Sequence, residues 1–119
     1  PQAPYIRRDL ARAQIDSGDS NHLKRAITNL EVALANDSRS ARNWRFLAIA
    51  HGRSGNLPKS YLALGEEALL LGKSGRARFQ ANRAKKAFAR GTREWLQADD
   101  ILIAADELDR ALKRRKKNK

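Results

Sequence analysis

The chain has no cysteine and no methionine, and aromatic side chains make up only 6% of its 119 residues. Without cysteine there is no disulfide framework, no thiol nucleophile and no thiolate metal site. Compartment stays open on that ground, because periplasmic and cytosolic proteins alike can lack cysteine. Long apolar runs are missing too. The most apolar piece, Ala63 to Leu71, is interrupted by Glu66 and Glu67. It falls short of the roughly 20 residues that a membrane-spanning helix needs. No secretory signal pattern is present. A chain without Met that opens PQAPY reads as a piece of a longer protein, whose targeting signals and catalytic residues would lie upstream. Residues with β-branched side chains are few, and no alternating strand pattern or hairpin signal competes for any segment.

What is present is Ala, Leu and Arg, which favours an all-helical chain. The length suits one domain with a modest core. Six helices are expected. The first runs from about Pro4 to Asp16 and stops at Ser17-Gly18-Asp19, and the second runs from about Ser20 to Asn36. The second carries Leu23, Ala26, Ile27, Leu30, Ala33 and Leu34 on one stripe. Asp37-Ser38 ends it and can cap a third helix, Arg39 to Ser54. Asn56 and Pro58 open a fourth helix that stops at Gly72. The fifth spans about Ser74 to Ala89, with Ala77, Ala81, Ala84 and Phe88 on one side. Gly91-Thr92 breaks the chain and caps a sixth, which starts near Arg93 and frays into a basic tail. Residues 1–112 are thus expected to fold and 113–119 to form a disordered basic tail.

The helices repeat. Shifting the third helix back by 37 residues lays Leu47-Ala48 on Leu10-Ala11 and Gly55 on Gly18. Beyond the turn the shift becomes 34, and Leu64 lands on Leu30. A period near 34 with these Leu, small-residue and Gly positions resembles the tetratricopeptide repeat. Trp44, Leu47, Ala48, His51 and Gly55 match its first helix, with His51 where Tyr is usual. A third, overlapping register runs through Tyr61, Leu64, Gly65, Gly72, Ala77, Ala81 and Ala84. The fourth helix therefore ends one repeat and begins the next. The expected fold is an all-α right-handed superhelix of about six antiparallel helices, with the sixth as a cap.

The order of the segments is closer to one family. PYIRRDLARAQ, LKRAITNLEVAL, WRFLAIAHGRSGN, GEEALLLG, RARFQANRAKKAF and WLQADDIL are similar to the C-terminal repeat region of periplasmic zinc metalloproteases, the relatives of the β-barrel assembly-enhancing protease. The resemblance spans nearly the whole chain except the tail. It implies a zinc HExxH protease domain upstream, a periplasmic location, and a role in quality control of outer-membrane proteins. The repeat region would recruit unfolded substrates or the assembly machinery and would not itself cut. The sequence departs from the family at Ala89-Arg90-Gly91-Thr92-Arg93, where Pro-containing turns are common, and in its Lys-rich end.

Within this chain HExxH is absent, and the two histidines, His22 and His51, stand 29 residues apart with no third ligand at metal spacing. His51 reads as a packing residue and His22 as a surface residue of a helix's first turn. No catalytic residue, metal or cofactor is assigned. The paired acids Glu66-Glu67 and Asp99-Asp100 point about 100° apart on a helix, so they read as solvated faces or ion-pair partners. By the tetratricopeptide resemblance, the concave positions are Tyr5, Arg8, Arg12 and Ile15 in the first repeat and Arg42, Arg45, Ile49 and Arg53 in the second. Arginines there can hold carboxylates of an extended peptide through paired hydrogen bonds.

Charge supplies the alternative. The net charge is +12, with eight basic residues and no acid from Lys73 to Arg93, and seven more basics from Arg110 to Lys119. Such a surface suits nucleic acid or another anionic surface. Nucleic acid is not expected on the first reading, and no RNA-binding aromatic motif or helix-turn-helix pattern accompanies the charge.

Overall fold

The computed structural model describes residues 4–118, with side chains described from residue 8. These residues form six helices, α1 (Pro4–Ser17), α2 (Ser20–Asn36), α3 (Ala41–Arg53), α4 (Leu57–Leu70), α5 (Ser74–Ala87) and α6 (Arg93–Lys117), and no strand. The body measures 49 × 32 × 22 Å.

Side-chain caps set most of the helix starts. Asp19 accepts hydrogen bonds from the Asn21 and His22 amides at 2.8 and 3.2 Å, opening α2. Its carboxyl is held below the usual Asp range chiefly by those two backbone donors. Ser40 caps α3 by accepting from Asn43 N at 3.2 Å, Asn56 caps α4 through Lys59 N at 3.3 Å, and Thr92 caps α6 through Trp95 N at 3.2 Å. The α3 start therefore falls later than the expected Arg39. Asp37 instead accepts from Arg39 N at 3.0 Å and shapes the turn before it.

The corners are cut by glycine. Gly55 has φ +87 and Gly72 φ +74, a backbone region that a Cβ penalises. Each is followed by an amide that reaches back over the helix end, Asn56 N to His51 O and Lys73 N to Ala68 O, both at 2.8 Å. That is the Schellman arrangement, and it turns the chain sharply enough to lay the next helix antiparallel. At the other end, α6 runs on through the basic segment to Lys117 rather than ending near Leu112. Lys and Arg are good helix formers, no Gly or Pro interrupts them, and cations in a last turn complement the helix dipole.

Two cores result. The first gathers Ala11 and Ile15 of α1, the α2 stripe, Leu47, Ala48 and Ala50 of α3, and Ala63 of α4. Ile15, expected at the concave surface, is in this core. The second gathers Leu62 and Ala68 of α4, Ala77, Ala81 and Ala84 of α5, and Ala98, Ile101 and Ala105 of α6. Only α4 belongs to both. It can do so because its contact residues are small. Ser60 donates its buried hydroxyl to Ala48 O at 2.8 Å, tying α4 to α3. On the other side, a Cβ at Gly65 would lie 3.2 Å from Ile101 Cδ1, so α6 sits directly on the α4 backbone. Helix α1 also touches α3, and α4 touches α6.

Polar contacts join α5 to α6. Ser74 and Arg78 both bond Asp109, Arg78 also meets Asp106 at 3.1 Å, and Lys85 meets Asp99 at 2.7 Å. Exposed pairs of this kind contribute little stability, but they set the register of the two helices.

Packing at the α4–α6 contact gives a direct test. Ile101 is among the largest fully buried side chains. Ile101→Ala is expected to cost about 3 kcal/mol in urea unfolding through the cavity it leaves. Gly65→Leu is expected to cost about as much through overpacking. A Gly65→Leu chain with an unchanged unfolding midpoint would show that α6 does not rest on α4.

Candidate interaction cleft

Sharing α4 between two cores leaves a gap. Among the described residues, helix α6 leans on α4 and α5, and its backbone stands clear of α2 and α3. A cleft of about 600 Å³ opens there. Each helix contributes one face to it at helical spacing. Glu31 and Leu34 come from α2, and Trp44, Leu47 and His51 from α3. Lys59, Leu62, Ala63 and Glu66 of α4 form the floor. Arg93, Glu94, Leu96, Gln97 and Asp100 come from the first two turns of α6. The residue spacings of α3 thus serve two ends at once. Trp44, Leu47 and His51 pack the first hairpin and present their edges to the cleft.

Apolar side chains share the floor with Lys59 and Glu66 and line part of the walls, through Leu34, Trp44, Leu47, Leu62, Ala63 and Leu96. The Trp44 indole N–H donates to Ser38 O at 2.8 Å, which holds the ring in place. The charged lining is Glu31, Glu66, Glu94 and Asp100 against Lys59 and Arg93. Four carboxylates against two cations make the cleft acidic, on a chain whose net charge is +12.

Burial tunes two of these groups. Glu66 accepts a hydrogen bond from Gln97 Nε2 at 3.1 Å. Its pKa is nevertheless raised, by burial first and by the nearby Asp100 charge, with the Gln97 bond opposing. His51 is 6% exposed. Burial, then the Lys59 charge, lowers its pKa from 6.5 to about 4, so the imidazole is neutral at pH 7.

The arginines and Ile49 expected at the concave surface lie elsewhere. Tyr5 is on α1, with its side chain outside the described residues. Arg8 is half-buried and Arg12 exposed on the same helix. Arg42, Arg45, Ile49 and Arg53 share one side of α3, opposite Trp44, Leu47 and His51. Arg45 and Arg53 already have partners, Glu67 Oε1 at 3.5 Å and Ile15 O at 3.0 Å. Ile49 packs against the first core. Arg8, Arg12, Arg42, Arg45, Ile49 and Arg53 do not line the cleft. The paired acids divide. Glu67 turns to Arg45 and Asp99 to Lys85, while Glu66 and Asp100 face the cleft. Sequence reasoning saw these pairs and the divergence of their members. It had no means of knowing which member of each would meet Glu31 and Glu94. His22, on the rim of the α1–α2 corner, has its Nδ1 at 2.6 Å from Ser17 Oγ.

No protein-family model, curated protein or solved structure matches the chain.

The His51 environment predicts a stability profile. The folded pKa lies below the unfolded one, so as pH falls the unfolded chain takes up the proton first. The contribution of neutral His51 is whole above pH 6.5 and is lost between pH 6.5 and about 4. Its size is on the order of 3 kcal/mol. Chemical denaturation across that range is expected to show a loss that His51→Leu flattens. Parallel profiles for the two proteins would show that the imidazole is not buried.

Proposed function

We propose that this chain is a non-catalytic protein-interaction module. It is built of stacked helical hairpins of tetratricopeptide type, and it holds a segment of a partner protein in the cleft over α4. The observation that carries this reading is the cleft itself, which sets apolar side chains beside a net acidic lining on a strongly basic chain. Apolar anchors supply affinity, while the charges beside them select the partner. The contact of α1 with α3 supports the repeat reading, because first helices of successive hairpins meet in such stacks.

The occupant this cleft suits is a segment with aliphatic or aromatic anchors flanked by Lys and Arg. The ionised Glu66 carboxylate is disfavoured in its partly buried position, and a cation brought beside it and Asp100 relieves that cost. The positive charge elsewhere on the chain opposes approach of such a segment, but salt screens it over about 8 Å at physiological ionic strength. The family resemblance extends the proposal. The module would follow an HExxH zinc protease domain in a periplasmic enzyme, and its partners would be unfolded outer-membrane proteins or their assembly machinery.

Fluorescence anisotropy of a labelled amphipathic Leu/Lys peptide tests the cleft, with a Leu/Glu peptide as its counterpart. The Leu/Lys peptide is expected to bind and the Leu/Glu peptide not to. Glu66→Gln with Asp100→Asn should weaken binding about fivefold, the effect of losing charges beside a cationic partner. Glu66→Gln alone should raise the melting temperature at pH 7, because it removes a charge that folding disfavours. Arg8→Ala with Arg45→Ala should leave peptide affinity in place. If only the arginine pair matters, binding belongs to the α1–α3 face and the cleft reading fails.

A further inference from the structure

Outside the cleft, the structure sorts the cations of α5 into two sets. Arg78 and Lys85 turn toward α6 and are held by Asp106, Asp109 and Asp99. Arg76, Arg83 and Lys86 point the other way, while Arg90, in the turn after α5, lies over the Trp95 ring of α6. At about 100° per residue, the three outward cations and Phe79 fall within about 80° of the helix circumference. Helix α5 contains no acidic residue, and none of the three meets a carboxylate among the described residues. Their charge is left for something outside the molecule.

Aromatic contacts hold part of this stripe in place without neutralising it. The Arg83 guanidinium lies 3.8 Å from the Tyr61 ring centroid and 5.3 Å from that of Phe79, and it donates to the Tyr61 hydroxyl at 2.8 Å. Phe79 is 59% exposed in the middle of the cations. Leu70 and Leu71, also exposed, lie just ahead of Lys73 at the start of the helix. The bonds from Ser74 and Arg78 to Asp109 set the later turns of α6 beside the start of α5, so the basic end of α6 continues past it.

We infer that the outward side of α5 is a docking face for an anionic phospholipid surface. Clustered Lys and Arg gather at such a surface, and a few apolar side chains can enter the boundary between headgroups and chains. The opposite side of α5 is buried through Ala77, Ala81 and Ala84. The helix therefore docks as part of the folded body and does not roll over to insert. Nucleic acid fits the same charge less well. Proteins that hold single strands do so in basic channels with several stacking aromatics. Here the stripe is on an outward helix side, the cleft is acidic, and Leu70 and Leu71 offer nothing to a phosphate backbone.

Co-sedimentation of the full chain with phosphatidylcholine vesicles, with and without phosphatidylglycerol, tests this. The chain is expected to bind only the anionic vesicles. Arg76→Glu with Lys86→Glu should reduce that binding at least about tenfold, and Phe79→Ser should reduce it about threefold. Circular dichroism should show all variants folded, since the three positions are exposed. Arg115→Glu with Lys117→Glu in α6 should retain most of the binding. Three results would overturn the proposal. One is binding lost in the α6 variant and kept in the α5 variant. Another is equal binding to neutral vesicles. The third is no vesicle binding by a chain that holds a single-stranded oligonucleotide through the same α5 cations.

Discussion

The structure depends on one helix being buried on two sides. Helix α4 closes the first core with Ala63 and opens the second with Leu62 and Ala68. A helix in that position can present only small groups where its neighbours cross closely. Ser60 meets the α3 backbone through a hydrogen bond, and Gly65 lets Ile101 rest on the α4 backbone. Larger residues at these two places would push α3 and α6 apart, and the two halves of the molecule have no other shared helix. The cleft follows from the same constraint. Because α6 packs on α4 and not on α3, the first turns of α6 stand away from α2 and α3, and α4 becomes the floor of the gap.

Charge is distributed by the same packing. Helix α6 carries acids on more than one side, and each side faces something different. Asp99, Asp106 and Asp109 face α5 and hold Lys85 and Arg78. Glu94 and Asp100 face the cleft, where Glu31 and Glu66 join them. What remains is a basic chain with an acidic cleft and a basic outer stripe. The two surfaces suit partners of opposite charge, so a protein segment and an anionic membrane need not compete for one site.

Much of the helical frame was legible from residue spacing. Helix α2 occupies the expected Ser20–Asn36, because Asp19 caps it and a Leu/Ala stripe at helical period fills its inner face. The alanines of α5 are buried as their spacing implied, and Asn56 and Thr92 cap the helices they precede. The misses are local. Ser40 rather than the Asp37-Ser38 pair starts α3, since two polar residues in one turn compete to cap and spacing alone does not rank them. Helix α6 continues through the basic segment because nothing in it breaks a helix.

For the site the balance is different. Composition and periodicity alone determined an all-helical chain, the places of its corners, the core stripes, and an excess of positive charge concentrated after Lys73. These depend on propensity, capping and period, which act over a few residues. Tertiary structure alone decided which charges meet. Glu31, Glu66, Glu94 and Asp100 come from three helices and are up to 69 positions apart in the chain. Their convergence depends on the angle at which α6 crosses α4, set by the absence of a side chain at Gly65 and the shape of Ile101. A helix face has one period whatever lies opposite it, so the sequence marks the faces of each helix while the packing of whole helices chooses their neighbours.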